Sequence, residues 1–582
     1  MTLLDKLSEE LGGAFEAAGL DPALARVKWA DRPDLAQFQC NGALAAAKAA
    51  KKNPRDLAQD IASSLAGAAT FREVSIAGPG FINLSIDDAW LARALGDETF
   101  AWRRSAPETV VVDYGGPNVA KPLHVGHLRA AIIGESLKRI ARGAGDTVIG
   151  DAHLGDWGLQ MGQLISELEI REPGLIYFDP EHDGDYPAEP PITLADLEAM
   201  YPAASAACKA DPARAELARK ATKALQDGRP GYRALWRHFV DLSVAAMKLD
   251  YGDLDVTFDL WKGEADAAPL VDDVAADLQA KGLLERSDGA EIIRVERADD
   301  NKPIPPIIFR NSQGAVGYHA TDLATILDRV RDIQPDRMLY VVDARQRLHF
   351  EQVFRAAAMV GYFPEGRMEH LWFGTMNGKD GKPFKTREGG TLKLRDFIDM
   401  VTEKARERIE ENGIAERVTP KEAEEIARRV GVSALKFADL SNPRTSDYVF
   451  DIDRFTAFEG KTGPYLLYAR ARIRSVIEKA AAAGVGEAGE ALIVAPEERD
   501  VALALLGFGD AHRDAYEKRL PHMLCDHAYR LAQAFSKFYA ACRITDEADN
   551  AVRKSRLGLA VRVADQLDKV FDLLGLSAPD RM

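Results

Sequence analysis

The chain has 582 residues, of which 46% are hydrophobic and 29% charged, and its formal net charge is −16. This length is too great for one hydrophobic core, so we expect three to five domains of ordinary soluble, globular composition. The N-terminus lacks a signal-peptide pattern, no run approaches the roughly 18 apolar residues of a membrane helix, and the four cysteines are scattered. These features argue against a membrane span, a cysteine-based zinc site and a disulfide framework, and they predict a cytoplasmic protein.

Residues 1–106 predict a small α+β domain. A helix is expected from Leu3 to Ala18, with Gly19 as its stop, and a second helix over 41–51. The segment from Val74 to Ile86 alternates like a hairpin that is interrupted by Gly-Pro-Gly.

Strands and helices alternate from residue 107 to about 400. A strand is expected over 109–114, a helix over 128–142 and a strand over 146–152. This order predicts a Rossmann-like, doubly wound parallel sheet whose ligands bind beyond the strand ends. The chain has neither GxGxxG nor GxxxxGK[ST], so ATP, if bound, is not held by a P-loop.

Two histidines open the first helix of this region. A turn broken by glycine and proline leads from the strand into His124-Val-Gly-His127. The positive end of a helix attracts anions, and residues three apart lie on one side of its first turn. Both imidazoles could therefore donate hydrogen bonds to a phosphoryl group. The alternative is a pair of histidines that only cap a helix over the core.

The rest of the chain divides into an insertion, a return to the sheet and a helical part. The insertion, at about 176–250, is acidic and proline-rich before it becomes helical, and strands at 292–295 and 307–310 are expected to rejoin the sheet. Helical periodicity follows from about 400 almost to the end, which predicts a helix bundle in the C-terminal third. The Ala/Gly-rich stretch 479–491 is expected to be a loop.

A basic segment at 461–480 contrasts with the acidic chain. The segment contains five basic residues and one acidic residue, and Tyr465 and Tyr468 are interleaved with the basic ones. Such a segment can pair with phosphates and stack on unpaired bases, and a local patch is enough for a specific RNA surface. The alternative is a solvated helix face with snorkelling arginines.

These motifs resemble those of one enzyme family. His124-Val-Gly-His127 resembles the "HIGH" element of class I aminoacyl-tRNA synthetases, and the longer string from Pro117 to Arg129 resembles the arginyl-tRNA synthetase version, of the bacterial type. The segment from Glu459 to Arg474 resembles the start of that family's anticodon-binding domain. The resemblance implies an N-terminal domain that contacts the tRNA corner and a class I catalytic domain. It also implies a helical connector over 401–460 that contacts the tRNA stem and an all-α anticodon-binding bundle over 461–582.

A cationic loop resembles the second class I motif, "KMSKS". Gly378-Lys-Asp-Gly-Lys382-Pro-Phe-Lys385-Thr-Arg387 places three cations in a glycine-bracketed loop, which suits the departure of pyrophosphate. The motif can be aligned with this loop in two registers. One register places a lysine at both lysine positions of the motif, and the other places a lysine at neither. The resemblance gives Lys121 the role of a lost motif lysine. Outside the family context, the loop reads as a solvated turn.

The resemblance also implies roles for further residues, all named by their numbers in this sequence. Catalysis falls to Lys121, His124, His127, Lys382, Lys385 and Arg387. Arginine binding falls to Asp113 and Asn118 at the α-amino end, to Tyr318 and Asp322 at the guanidinium, and to Gln346 along the side chain. ATP binding falls to Pro117, His124, Gly126, His127 and Lys385, and tRNA binding to Tyr465, Tyr468, Arg470, Arg474 and Met582. Asp113 is one methylene shorter than the glutamate of some family members.

The implied activity is ligation of L-arginine to tRNA(Arg). ATP would first give arginyl-adenylate and pyrophosphate, with Mg²⁺ held mainly by phosphates and water rather than by a protein site, and the terminal adenosine of tRNA would then take the arginine. The family implies a monomer that uses neither DNA nor a membrane. Three alternatives are a synthetase for another amino acid such as cysteine, a non-catalytic tRNA-binding paralogue, and an adenylyltransferase that acts without tRNA.

Overall fold

The N-terminal domain is a four-stranded antiparallel sheet with helices. The computed structural model describes residues 1–32, 35–96, 101–382 and 392–582. The strand order is β1-β2-β4-β3, and Thr2 and Asp5 cap the first helix reciprocally. Both predicted helices and the hairpin are confirmed. The elements are α1 Leu3–Ala17, β1 Val27–Trp29, β2 Phe38–Cys40, α2 Gly42–Ala50, α3 Pro54–Ser64, β3 Phe71–Ala77, β4 Phe81–Ile86 and α4 Asp88–Ala94.

A parallel sheet forms the centre of the next domain, as predicted. Its strands are β5 Thr109–Tyr114, β6 Thr147–Asp151, β10 Arg337–Val341 and β11 Met368–His370, and every neighbouring pair is parallel. The order is β11-β10-β5-β6, so the chain leaves β5 first to one side and later to the other. The carboxyl ends of β5 and β10 therefore bound a topological switch point, where ligands bind in such sheets.

Helices and short strands surround this sheet. The helices are α5 Val125–Gly143, α6 Leu159–Arg171, α7 Leu194–Ala210, α8 Pro212–Gln226, α9 Pro230–Asp253, α10 Glu264–Ala267, α11 Val271–Ala280, α12 Tyr318–Asp332 and α13 Arg347–Val360, and the short strands are β7 Glu285–Ser287, β8 Ala290–Ile293, β9 Ile307–Arg310 and β12 Met376–Asn377. The insertion is helical, as predicted, and is made of α7, α8 and α9. The predicted helix at 128–142 begins earlier, at Val125, because His124 caps it.

The prediction that 292–295 and 307–310 rejoin the parallel sheet is wrong. β8 and β9 pair with each other and with β7 in a separate antiparallel sheet of order β7-β8-β9. A tight turn at Asp288 and Gly289, both with positive φ, joins β7 to β8. Such a short link permits only antiparallel pairing, because a parallel neighbour needs a long crossover connection.

The C-terminal third is helical, as predicted. Its elements are α14 Leu394–Glu411, α15 Pro420–Leu440, β13 Tyr448–Val449, α16 Ile452–Phe455, α17 Gly463–Ala482, α18 Pro496–Leu506, α19 Phe508–Lys518, α20 His522–Ala541 and α21 Asn550–Leu574. The predicted loop at 479–491 is partly wrong, since α17 continues to Ala482. Alanine is the best helix former, Ala480 is fully buried, and the first glycine stands only at Gly484.

α5 lies between the parallel sheet and the helical bundle. The Ser136 hydroxyl donates to the carbonyl of Leu573 in α21 (3.1 Å), and Arg139 bonds the carboxylate of Asp572 (3.2 Å). The helix that begins at the paired histidines therefore ends against the C-terminal bundle. Among the residues that the structure describes, no helix is long and apolar enough to cross a membrane.

Candidate active site and tRNA surface

The two histidines form a reciprocal cap at the start of α5. His124 Nδ1 accepts the N–H of Gly126 (3.0 Å), and His127 Nδ1 accepts the N–H of His124 (3.1 Å). The ring centroids lie 3.9 Å apart. A capping role and an anion-binding role are thus compatible, since the cap uses only one nitrogen of each ring.

Both rings are neutral donors at pH 7. Burial, the neighbouring His124 and Lys121 lower the pKa of His127 to about 3. Burial and Lys121 also lower the pKa of His124. Because each Nδ1 accepts a backbone N–H, the single ring proton is on Nε2. Each ring therefore has one N–H group available for a ligand.

The exit of the cationic loop is fixed beside these histidines. The N–H of Val125 donates to the carbonyl of Leu392 (3.1 Å), and the N–H of Leu394 donates to the carbonyl of Leu123 (2.9 Å). The loop entry at Lys382 is exposed, and its N–H donates to Asp380 (3.1 Å). The predicted cations Lys385 and Arg387 lie outside the described residues.

Helix α7 of the insertion contacts both the turn that precedes the histidines and the exit of the cationic loop. Lys121 Nζ lies 4.9 Å from the ring centroid of Tyr201. Lys393, at the loop exit, forms a 2.8 Å ion pair with Glu198. The insertion is therefore part of the wall of the site, a placement that the sequence alone did not indicate.

The predicted α-amino end lies at the carboxyl end of β5. Arg329 Nη2 donates hydrogen bonds to Asp113 Oδ2 (2.6 Å) and to Asp151 Oδ2 (2.7 Å). Asn118 is exposed and pairs through its backbone with Gly155, where a Cβ atom would lie 2.2 Å from the Asn118 amide oxygen. Only glycine at 155 leaves the Asn118 side chain in place.

An acidic pocket surrounds the predicted guanidinium site. Tyr318 opens α12 and is 69% exposed, and Asp322 follows one turn later, where its carboxylate bonds His349. Burial, with Asp156 and Asp322 nearby, raises the pKa of Glu264 to about 7. Burial, and after it the charge of Glu264, raises the pKa of Tyr318. Like charges in a half-buried pocket repel one another, so the pocket favours a bound cation.

Asp156 belongs to the same acidic pocket. Burial, opposed by the Ala265 N–H that its carboxylate accepts (3.0 Å), raises its pKa to about 7. A Cβ atom at Gly263 would lie 2.6 Å from this carboxylate, so glycine is needed there. Glu264 and Asp156 were not among the predicted arginine contacts. Nothing in their local sequence separates them from the other acidic residues, and only the packing of α10 against the β6 loop reveals them.

Gln346 lies at the carboxyl end of β10. It ends a short 3₁₀ turn, 344–346, and is exposed, and Asp343 accepts its backbone N–H through the carbonyl (3.0 Å). Because β5 and β10 are neighbours, Gln346 and Asp113 lie on the same edge of the sheet. Two of the predicted arginine contacts, Asp113 and Gln346, thus lie at the switch point.

An aromatic pocket lies at the start of α17. It has a volume of about 90 Å³ and is lined by Phe458, Tyr465, Tyr468, Ala469, Arg472, Phe535, Ser536 and Tyr539. Tyr465 meets Tyr529 edge-on, with centroids 5.6 Å apart, and Tyr468 is 38% exposed. This pocket has the size and chemistry to receive part of an unpaired base.

The predicted basic face of α17 is divided between two uses. Arg470 pairs with Asp568 (2.8 Å), and Arg474 pairs with Asp565 and Asp568 (2.9 and 2.8 Å). Arg472 is exposed at the aromatic pocket and forms no ion pair among the described residues. Met582 is half-buried against the bundle.

Family models match nearly the whole chain. The catalytic domain of "tRNA synthetases class I (R)" matches residues 92–452, the "DALR anticodon binding domain" matches 466–582, and the "Arginyl tRNA synthetase N terminal domain" matches 1–86. The chain belongs to the arginyl-tRNA synthetase family. The predicted family and fold class are confirmed.

Full-length relatives agree with this membership. The chain is 54% identical to an arginine–tRNA ligase of Hyphomonas neptunium over 590 residues and 52% identical to one of Maricaulis maris over 587 residues, with 100% of each chain covered. The arginyl-tRNA synthetase structure from Thermus thermophilus superposes with a TM-score of 0.81 at 25% identity, over 100% of both chains. That from Plasmodium falciparum has the same fold, with a TM-score of 0.81 at 23% identity over 100% of this chain and 99% of its own.

Proposed function

We propose that this arginine–tRNA ligase forms arginyl-adenylate in the cleft at the carboxyl ends of β5 and β10. The observation that carries the proposal is the juxtaposition there of two neutral, Nε2-protonated histidines with an acidic pocket. The histidines suit phosphates and the acids suit a guanidinium. The arginine carboxylate attacks the α-phosphate and pyrophosphate leaves. A hydroxyl of the terminal adenosine of tRNA(Arg) then attacks the carbonyl of the adenylate, so the arginine passes to the tRNA and AMP leaves.

The histidines stabilise the charge that grows on the phosphates. Neutral Nε2–H groups donate without any prior protonation step, and they are already oriented by their backbone bonds. Gly126 leaves its backbone exposed beside the rings, whereas Pro117 is buried in the turn that precedes them, and contact with ATP remains the predicted role of both. Lys121, Lys382, Lys385 and Arg387 supply the cations, and Mg²⁺ accompanies ATP through phosphate and water ligands.

The acidic pocket selects arginine. Guanidinium is always charged and presents planar donors, so it binds best where several carboxylate oxygens converge. Asp322, Glu264 and the Tyr318 hydroxyl accept its N–H groups, and Gln346 lies along the side chain. Asp113 and Asn118 hold the α-amino end, with the Arg329 ion pair fixing the Asp113 carboxylate.

The aromatic pocket on α17 binds an unpaired base of tRNA. Tyr465 and Tyr468 supply apolar contact and Arg472 supplies a cation, all three of them in the lining of the pocket. Met582 lies outside this lining, and contact with tRNA remains its predicted role. Arg470 and Arg474 support the pocket through Asp568, and contact with the RNA backbone remains their predicted role. We infer a cytoplasmic monomer whose partners are tRNA(Arg) and L-arginine.

The decisive experiment is amino-acid-dependent exchange of pyrophosphate into ATP, run with all twenty amino acids, with and without total tRNA. Exchange with arginine alone, followed by charging of tRNA(Arg), is the expected result. Exchange with a different amino acid would contradict the assignment of the acidic pocket to arginine. Binding of tRNA without any exchange would leave the chain as a tRNA-binding paralogue.

A further inference from the structure

The insertion presents one side of α7 to the active site. Leu197, Met200 and Ala204 form its buried stripe and fix the rotation of the helix about its axis. Beside this stripe, Glu198 and Tyr201 are half-buried, whereas the neighbouring Ala199 and Pro202 are exposed. Residues three apart lie on one face of a helix, so Glu198 and Tyr201 act from the same side.

Each of these two residues holds a different catalytic segment. Lys121 lies in the turn that precedes the histidines, and its ammonium group is 4.9 Å from the centroid of the Tyr201 ring. The Glu198 carboxylate pairs with Lys393 (2.8 Å), where the chain leaves the cationic loop. These segments are about 270 residues apart in the chain, and the backbone bonds of Val125 and Leu394 join them side by side.

An aromatic partner suits a lysine that must act on phosphate. A carboxylate would hold the ammonium but would also cancel its charge, whereas a ring face attracts the cation and leaves the net charge in place. Lys121 forms no ion pair among the described residues, and it acts electrostatically on both His124 and His127. Its long side chain has several rotamers, and the ring favours those that keep the ammonium near the histidines.

Tyr201 also reaches towards the other substrate. The Tyr201 phenol contributes, after burial and Glu264, to the raised pKa of Tyr318. The residue therefore lies between the cation proposed for the phosphates and the tyrosine proposed for the guanidinium.

We propose that Tyr201 is a positioning residue that holds Lys121 for the activation step, and that Glu198 holds the exit of the cationic loop through Lys393. This inference rests on the proposed role of Lys121. It gives the insertion a part in arginine activation that its own sequence does not indicate.

The test is a double-mutant cycle on arginine-dependent pyrophosphate exchange in the presence of tRNA. Tyr201→Leu is expected to lower kcat about tenfold, while KM for arginine stays within about twofold. Tyr201→Phe retains the ring and is expected to stay within about twofold of wild type. In a Lys121→Met background, Tyr201→Leu is expected to lower kcat by a further factor of less than about two, because the residue through which Tyr201 acts is gone.

Two further variants keep the result interpretable. Tyr201→Met has no ring face, but its longer, unbranched side chain reaches further along the space of the phenol, and it serves if Tyr201→Leu fails to fold. Tyr186→Leu is the matched control, since Tyr186 is half-buried in the same insertion and stacks on Tyr177 (5.4 Å) without contact to Lys121. Tyr186→Leu is expected to leave kcat unchanged.

The possible outcomes separate this inference from the proposed function. If Lys121→Met is slow but Tyr201→Leu and Tyr201→Met are not, the positioning role of Tyr201 is wrong and the role of Lys121 stands. Equal losses from Tyr201→Leu with and without Lys121 would also overturn it, as would a Tyr201→Phe enzyme as slow as Tyr201→Leu. If Lys121→Met is itself as fast as wild type, the proposed role of Lys121 fails and this inference fails with it.

Glu198→Gln tests the second half of the proposal independently. It is expected to lower kcat by about three- to tenfold, because a partly buried ion pair is lost at the loop exit. The same loss is expected in the Lys121→Met background, since Glu198 acts through Lys393. A Glu198→Gln enzyme with an unchanged kcat would overturn the role of Glu198.

Discussion

At the scale of single residues, each proposed catalytic histidine uses its two nitrogens for different purposes. Nδ1 accepts a backbone N–H and completes the helix cap, which leaves the proton on Nε2 for a ligand. Structure and catalysis can therefore be separated by substitutions that imitate one nitrogen at a time.

We predict opposite results for two substitutions of His127. Asn places an acceptor where Nδ1 lies, so His127→Asn keeps the cap but lowers the activation rate by about 10²–10³. Gln places its amide nearer to Nε2, so His127→Gln retains more of the rate but lowers the free energy of unfolding by about 1 kcal/mol. Pyrophosphate exchange and urea unfolding measure the two effects. Equal rates for both variants would contradict the role of Nε2–H.

We predict that kcat/KM for arginine depends on pH near neutrality. Glu264 attracts the guanidinium only when ionised, and its pKa in the free enzyme is about 7. The value of kcat/KM therefore falls as the pH drops from 8 to 6. Bound guanidinium stabilises the carboxylate and lowers its pKa, so kcat falls less over the same range.

Glu264→Gln isolates the source of this dependence. The variant is expected to have a lower kcat/KM for arginine, and its remaining pH dependence, which comes from Asp156, is expected to move to lower pH because one neighbouring charge is gone. Glu285→Gln, on a surface ion pair with Arg294 (2.9 Å), is the control and should keep the wild-type profile. A profile unchanged in Glu264→Gln would contradict the assignment.

At the scale of secondary-structure elements, α17 carries arginines with different surroundings on a single helix. Arg470 and Arg474 face α21 and hold its aspartates, and Arg472 faces the aromatic pocket. Composition alone cannot distinguish these arginines, because the difference lies in which helix packs against each face.

We predict that Arg472→Ala weakens tRNA binding about tenfold and leaves the free energy of unfolding nearly unchanged. Arg470→Ala should do the reverse, with a loss of about 1–2 kcal/mol of unfolding free energy, because Asp568 and the carbonyl of Pro579 lose a donor. Filter binding and thermal unfolding measure the pair. A tRNA affinity lost in Arg470→Ala at unchanged stability would favour direct contact between Arg470 and RNA.

At the scale of the whole molecule, the N-terminal domain is attached to the bundle through α18. Ala502, Leu503 and Leu506 of this helix belong to the core of the N-terminal domain. Arg499 is 7% exposed and bonds Asp88, the carbonyl of Ile86 and Gln37. One side chain thus ties the first domain to the last.

We predict that Arg499→Ala loosens this attachment by about 1–3 kcal/mol, because buried acceptors lose their donor. Hydrogen exchange should become faster in β4 and α18 and stay unchanged in β5. Lys28→Ala removes only an exposed ion pair with Asp31 and should change stability by less than about 0.5 kcal/mol. Unchanged exchange in Arg499→Ala would show that other contacts hold the domain, namely apolar packing on α18 and the ion pair between Arg513 and Asp5.

The sequence by itself determined the family, the parallel sheet, the helical bundle and the two histidines. These features depend on local periodicity and on short motifs whose residues are adjacent in the chain, such as His124-Val-Gly-His127. The error in placing β8 and β9 arose because an apolar run predicts a strand without identifying its partner.

Only the tertiary structure decided which residues share a site. Glu264 reaches Asp322, and Tyr201 reaches Lys121, across long stretches of chain. Ninety-one acidic residues offer the same carboxylate, and only packing decides which of them are buried beside like charges. The same reason separates Arg472 from Arg470, since an arginine becomes a binding group or a structural one according to the surface that folding brings against it.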